Sequence, residues 1–447
     1  MKILIHSNNG DFLGIAERMQ DEGHQVSVFI KEPSCRPMGD GLVKKVGSLF
    51  EGISDKPDAI VFDMSGEGET ADRLRKAGLN VLGSSAFADK MEMDRKFGID
   101  LMRKNGIKIP VTQEFKNIDE AITFIKSKPQ AYAIKMSGGE SGCATSYVSK
   151  DEKDLLDYIG WQKERKLIKP GMEFILQEVI HGVEISTEVW FSQGKPLLPY
   201  NSTFENKKFM PGDLGPATGC ETSAVFSYLS SSPKVVEKTM RKIFPLALQM
   251  KYTGPLDINC IVSEKDHEPY GLEWTPRMGY SAIYALAAMM EVGLGEFFVK
   301  VASGTAQKVP LRHSWGTSIK ASVPPYPLEK PDHHDIEEAL YGENRGLRIK
   351  MNPEPHFWPI DAQKGKRSPL ECAGVNGIIA ECTGVGEDLR TAWLGCSKVF
   401  KSLQFPNKQG RLLDGSLSAF QRTEQLREWG YDVPSALKKK VTMEITR

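Results

Sequence analysis

Apolar residues near the start of the chain fall into short unbroken runs, and between the runs they recur every three or four positions. Lys2 to His6, Gln25 to Ile30 and Ala59 to Phe62 read as strands, with helices from Phe12 to Glu22 and near Ala71 to Ala77. Strands alternating with helices bury a parallel sheet between helical layers, so residues 1–90 predict a doubly wound α/β domain. Met91 to Asn105 has helical spacing. It runs into Gly106-Ile107-Lys108-Ile109-Pro110, whose proline favours an extended start to a second domain.

The pattern then changes to a helix (Ile118 to Ser127), a strand (Ala131 to Met136), the run Ser137-Gly138-Gly139-Glu140-Ser141-Gly142, and a strand through Tyr147 and Val148. A phosphate loop of the G-x-x-x-x-G-K-[ST] kind opens a helix and carries its lysine after the last glycine, so that motif is excluded. A glycine loop between strands either closes over phosphates through bare backbone amides or is a plain hairpin turn. Phe174 to Gln177 and Glu184 to Phe191 read as strands. Pro255 to Val262 and Pro269 to Trp274 read as a hairpin turning through Ser263 to His267. Period-two spacing puts Asp257 and Asn259 on one face, and likewise Glu273 and Thr275. Their convergence suits Mg²⁺, the alternative being an exposed polar sheet face. Ser318 to Val323 and Gly377 to Cys382 are further strands, Asp388 to Leu403 a helix, and the polar stretch 331–370 is expected to be loop-rich.

A length of 447 residues suits two or three domains. Lysine plus arginine (58) equals aspartate plus glutamate (58), which removes the field that non-specific nucleic-acid or anionic-lipid binding requires. The reading is no nucleic acid, no membrane, and a monomer or homodimer acting on small molecules. Met1 to Ile5 enters a strand without a charged leader, so a cytoplasmic location is expected. The cysteines lie far apart with no C-x-x-C pair, and read as reduced thiols. His333-His334 and Lys438-Lys439-Lys440 read as exposed loop and solvated terminus. The turn Ser7-Asn8-Asn9-Gly10 after the first strand offers backbone amides to a ligand, or is a turn alone.

In order along nearly the whole chain, several strings resemble the ATP-grasp superfamily and, within it, the phosphoribosylamine–glycine ligase (glycinamide ribonucleotide synthetase) family. G-S-S-A-F-A-D-K from Gly83 resembles the entry to the nucleotide-binding domain. Ile134-Lys135 before Gly138, Gly139 and Gly142 resembles V-K-A-D-G-x-x-x-G, and Gln177-Glu178-Val179-Ile180 with Gly182-Val183-Glu184 resembles I-E-E-F-L-x-G-x-E. Lys207 to Gly219 resembles K-R-x-x-x-G-D-x-G-P-N-T-G, the most specific of these strings. Gly377 to Gly384 resembles the family's last strand.

The resemblance implies an α/β (α+β overall) ATP-grasp fold with a pre-ATP-grasp domain (1–90), an ATP-grasp domain (91–310, lid about 111–177) and a small β-rich C-terminal domain (311–447). It implies an ADP-forming carbon–nitrogen ligase that uses ATP and Mg²⁺ (or Mn²⁺) and makes an amide from a carboxylate and an amine through an acyl phosphate. Arg95, Lys135, Gly138, Gly139, Gly142, Glu178, Val179, Ile180 and Glu184 would bind the nucleotide. Glu273, Asn259, Asp257 and Thr275 would bind metal, and Arg277, Lys207 and Asp213 would act in catalysis. Asn9, Gly10, Asp11, Lys207, Asp213, Thr218, Gly219 and Arg277 would meet the substrates.

Departures concentrate at substrate-facing positions. Thr275 replaces the asparagine of E-x-N-x-R, Cys143 replaces a lid lysine, Glu221 falls in G-G-M-G, and Asp11 stands where a phosphate turn carries cations. The sequence thus predicts the family's chemistry on an altered, less anionic amine. Alternatives are the family's own purine-biosynthetic reaction, a carboxylase or D-amino-acid ligase of the same fold, and a non-catalytic nucleotide-binding protein.

Overall fold

The computed structural model describes residues 1–83, 85–136, 146–165, 173–328, 341–351, 355–366 and 368–437. In the N-terminal part, β1 (Lys2–Ser7), β2 (Gln25–Ile30), β3 (Lys44–Lys45), β4 (Ala59–Phe62) and β5 (Val81–Leu82) form a wholly parallel sheet in the order β3-β2-β1-β4-β5. Ile3, Leu4 and Ile5 are consecutive and all buried, because helices cover both faces. The strand order reverses between β1 and β4, so their carboxyl ends flank the crevice where open α/β sheets bind ligands. Ser7 to Asp11 and Asp63 lie there.

The expected helix from Met91 to Asn105 is instead two, Ala86–Met93 and Arg95–Lys104. Asp94 is extended, and its carboxylate accepts from the Phe97 amide at 2.9 Å, capping the second helix. The cap places Arg95 in a helical first turn.

A small antiparallel sheet follows, formed by β6 (Thr112–Phe115), β7 (Tyr132–Met136), β8 (Tyr147–Val148) and β9 (Phe174–Glu178) in the order β6-β9-β7-β8. Ile118–Ser127 forms the helix that its spacing predicts. Glu152–Glu164, not anticipated, is a second helix capped by Asp151. Together they seal a separate core of Phe115, Ile125, Ile134, Ile159 and Phe174.

The largest sheet takes β10 (Gly182–Ser192), β11 (Lys195–Pro196), β12 (Asn201–Met210), β13 (Leu214–Ser227), β14 (Gly254–Ser263), β15 (Pro269–Thr275), β16 (Trp315–Ser322) and β17 (Phe357–Pro359). A short ribbon, β18 (Ala362–Lys364) and β19 (Leu370–Cys372), separates β17 from the last member, β20 (Ile378–Gly386). The order is β15-β14-β10-β12-β13-β16-β20-β17, with β11 beside β10. The sequence reading did not mark β12 and β13 as strands, yet their hairpin carries the string Lys207 to Gly219. β16, β20 and β17 extend the sheet past residue 310, so the domain boundary read there falls inside a continuous hydrogen-bonded surface. Local periodicity identifies strands but does not reveal which distant strand they pair with. The described cysteines are all free thiols.

Candidate active site

Strand register decides which side chains meet. Glu188 pairs with Asp257, Ser186 with Asn259, Asp257 with Thr275 and Asn259 with Glu273. Directly opposed residues share a face, so the oxygen donors expected on the β14–β15 hairpin do converge, joined by Ser186 and Glu188 from β10. Thr203 stands opposite Ser186, which puts Glu205 on that face too. Lys207 Nζ, beyond a break in register, donates to Glu184 Oε1 at 2.6 Å and lies 3.8 Å from Glu205 Oε2. Lys135 on β7 faces the same surface and shares the electrostatic field of Glu273, Arg95, Lys207 and Glu184. Arg95 ion-pairs with Glu273.

Burial alone would disfavour the ionised Glu273 carboxyl, but Arg95, Lys207 and Lys135 outweigh it and hold the group well below the usual carboxylate range. Desolvation brings the Lys135 ammonium down to about 8, with Glu273 opposing the shift and Arg95 and Lys207 adding to it. Its side chain is partly exposed, yet densely surrounded by protein. Lys207 goes the other way: burial would lower it, but Glu184, Glu205 and Glu273 prevail and raise it. Burial raises Asp257, aided by Glu188 and Glu205, while the hydroxyl of Ser186, donating at 2.9 Å, opposes. The outcome is a buried array of interleaved acids and bases.

The donor set fits Mg²⁺. Carboxylates of Glu273 and Asp257 lie with the oxygens of Asn259 and Thr275 on one face, and Asn259 Oδ1 is buried without a hydrogen-bond partner among the described residues. Among those residues no three acidic, histidine or cysteine side chains form a metal-holding group, so an ion here would have to complete its shell with other oxygens such as those of phosphate.

The remaining expected residues are distributed unevenly. Glu178, Val179 and Ile180 lie at the end of β9 and in the link to β10, with Glu178 accepting from Gln130 at 3.3 Å. Arg277 is held by Glu92, its Nε donating at 3.1 Å, and Ser65 donates to the other oxygen of Glu92. Thr218 Oγ1 donates to the Lys207 carbonyl at 3.1 Å. Gly219 has φ +78°. Asp213, at the hairpin tip, pairs with the buried Arg411 at 2.9 Å and is largely exposed on its other side, so its observed partner is structural. Gly138, Gly139, Gly142 and Cys143 lie outside the described residues, as do His333, His334 and Lys438 to Lys440.

Asp11 is the main difference from expectation. The sequence places it in a turn where cations would meet a phosphate, and in the structure it is buried, with Asn9 donating at 2.7 Å and Asn376 at 3.1 Å to its two oxygens. Burial raises its pKa, and the Asn9, Asn376 and Tyr280 bonds only partly offset this. Gly10 has φ +84°, and a Cβ there would press on Ile30 and Met38 at 3.2–3.3 Å, so glycine is required for the turn to pack. Sequence reasoning missed Glu92, Glu188 and Glu205. The alternation Glu184-x-Ser186-x-Glu188 signals the second of these; the other two are visible only once distant elements are assembled.

A small antiparallel sheet and a large one, with Lys135, Arg95 and Lys207 set against Glu273, Asp257 and Asn259, form the arrangement that the resemblance to the ATP-grasp superfamily leads one to expect. Residues 93–280 match the family described as Phosphoribosylglycinamide synthetase, ATP-grasp (A) domain. The particular protein that the chain resembles is phosphoribosylamine–glycine ligase. It is 24% identical to that of Neisseria meningitidis serogroup B over 364 residues, covering 77% of this chain and 84% of the relative. It is 26% identical to the trifunctional purine biosynthetic protein adenosine-3 of Drosophila pseudoobscura pseudoobscura over 260 residues, which is 56% of this chain but only 18% of that much longer protein. The solved phosphoribosylamine–glycine ligase of Thermotoga maritima superposes with a TM-score of 0.71 at 18% identity, over 92% of this chain and 99% of that one. The biotin carboxylase domain of Hydrogenobacter thermophilus 2-oxoglutarate carboxylase, solved with MgADP and bicarbonate, gives 0.64 at 13% identity, over 96% and 97%. Among the described residues no helix is long and apolar enough to cross a membrane.

Proposed function

We propose that the chain is an ADP-forming ligase that joins a small carboxylate to an amine, on an amine less anionic than phosphoribosylamine. The observation that carries the reading is the meeting of Lys135, Arg95 and Lys207 with Glu273, Asp257 and Asn259 on one sheet face. Lys135 and Arg95 bind phosphate oxygens of ATP, and Glu184 with the Val179–Ile180 main chain receives the nucleoside. Glu273, Asp257, Asn259 and Thr275 hold Mg²⁺, which supplies Lewis-acid neutralisation of phosphate charge. Arg277, fixed by Glu92, orients the carboxylate that takes the phosphoryl group. The amine then displaces phosphate from the acyl phosphate, so no covalent enzyme nucleophile is needed.

The buried Asp11 supports an altered amine. The acidic side chain of the turn is held in place by Asn9 and Asn376, and a carboxyl at that position does not attract a sugar phosphate as a cation would. A matrix of carboxylates against amines, read by ADP release and product mass, tests both parts. Turnover of glycine with phosphoribosylamine at about 10⁴ M⁻¹s⁻¹ or more would replace the altered-amine reading with the family's own reaction. No nucleotide turnover with any pair would sink the ligase reading.

A further inference from the structure

Beside the carboxyl ends of β1 and β4 lies a second polar cluster that the ligase chemistry leaves unused. Lys320 on β16 is paired in register with Glu381 on β20, and its Nζ is 3.8 Å from Glu221 Oε1 on β13. Tyr326 OH accepts from Lys320 at 3.2 Å and donates to Glu221 Oε1. Ser281 donates to Glu381 Oε1 at 2.6 Å. The N-terminal crevice supplies the facing wall through Asp11, which interacts electrostatically with both Lys320 and Glu381, and through Asp63, which feels Asp11.

The bonds within this cluster are incomplete in one direction. Glu221 and Glu381 are 0% and 1% exposed, and the Oε2 atom of each is buried with no hydrogen-bond partner among the described residues. Asp11, Glu221 and Glu381 share the field of one buried ammonium, that of Lys320, and Asp63 adds its own field through Asp11. Burial consequently pushes Asp63 and Glu381 up to about 7. Buried acceptors without donors are costly, and a ligand carrying N–H groups and positive charge relieves both deficits. A phosphate-bearing ligand would add to them.

We infer that the Glu221–Glu381–Asp11 cluster is a subsite for an ammonium group, and that the amine substrate carries this second ammonium in addition to the nitrogen that is joined. The inference rests on the ligase reading. The amine is then a short diamine or another aminoalkyl compound. A monovalent metal ion shares the charge but brings no N–H donors, and the test separates the two.

Titration calorimetry on the full chain, with 1,4-diaminobutane, potassium chloride and ribose 5-phosphate as separate ligands, reads the subsite. ADP with Mg²⁺ is titrated independently. Saturable diamine binding, weakened by about tenfold or more in Glu381→Gln and in Glu221→Gln with ADP affinity retained, is the expected result. Binding of potassium or ribose 5-phosphate in place of the diamine, or diamine affinity unchanged in both variants, overturns the inference. Loss of ADP binding in the parent protein would instead count against the ligase reading. Both substitutions are nearly isosteric, and circular dichroism verifies that each variant is folded.

Discussion

Arg95, in the first turn of its helix, is ion-paired with Glu273 on β15, a partner 178 residues away in sequence. The carboxylate that would bind metal is therefore already neutralised before nucleotide arrives. On the proposed function, phosphate oxygens would compete for the guanidinium and leave Glu273 open to the ion. Mg²⁺ affinity should be weak without nucleotide and rise when ADP is present. Arg95→Met should strengthen Mg²⁺ binding in the absence of nucleotide while weakening ADP. Equal Mg²⁺ affinity in parent and variant by calorimetry would show that the pair does not compete with metal.

Glu273→Gln is expected to lower ADP release by about a hundredfold or more, because it removes the charge that Arg95, Lys207 and Lys135 surround and that the proposed metal would need. Circular dichroism should stay unchanged. A variant that turns over within a few-fold of the parent contradicts the metal assignment.

Stability should depend on pH in a defined window. Asp63 and Glu381 have folded-state values of about 7 against 3.8 and 4.5 in the unfolded chain. Between those limits the unfolded state ionises while the folded state keeps its protons. These groups therefore favour folding fully below about pH 4, lose that contribution as pH rises through 7, and change nothing further above it. Glu273, held low, has the opposite dependence and matters only in more acidic solution. The melting temperature should be higher at about pH 5.5 than at about pH 7.5, and Glu381→Gln should reduce the difference. A melting temperature that rises across this interval, or an unaltered difference in the variant, refutes the assignment.

Gly384 on β20 lies where its strand meets the helix Leu389–Ser402. An added Cβ would stand 2.2 Å from both Ala392 O and Cys396 N, which are backbone atoms without freedom to yield. Gly384→Ala should cost about 2–3 kcal/mol by denaturant unfolding. Gly395→Ala, whose Cβ meets only Gly384 Cα at 3.5 Å, is the control and should fall within about 1 kcal/mol of the parent. Similar losses for both would argue against a backbone clash.

Much of this architecture is legible from local pattern. The helix Ile118–Ser127, the strand Gln25–Ile30 and the β14–β15 hairpin follow from spacing, and so does the shared face of Asp257, Asn259, Glu273 and Thr275. The break at Asp94 is harder to see, since a capping aspartate within a helical pattern differs from a surface aspartate only in its backbone angles. The long β12–β13 hairpin escaped because β12 is largely polar and the first half of β13 carries Gly215, Pro216 and Gly219, a composition that local pattern assigns to loops. In the site, Lys135 and Lys207 were visible as motif residues. Glu205 beside Lys207, Glu92 beside Arg277, and the burial of Asp11 against Asn376 depend on contacts between separate elements, the last two 185 and 365 residues apart. Charge balance across a folded cleft is a property of the assembly, which a linear pattern does not encode.

The sheet that crosses residue 310 bears on how the chain is made. β13 is flanked by β12 on one side and by β16 on the other. While β16 is still within the ribosome, the amides and carbonyls along that side of β13 have no strand to meet, and they form an open edge of the kind that recruits other chains. A nascent or truncated fragment ending near residue 310 would be vulnerable to aggregation until the last strands emerge. Expression of a shortened nucleotide-binding unit should therefore end beyond β20, where the edge is closed by the protein's own chain.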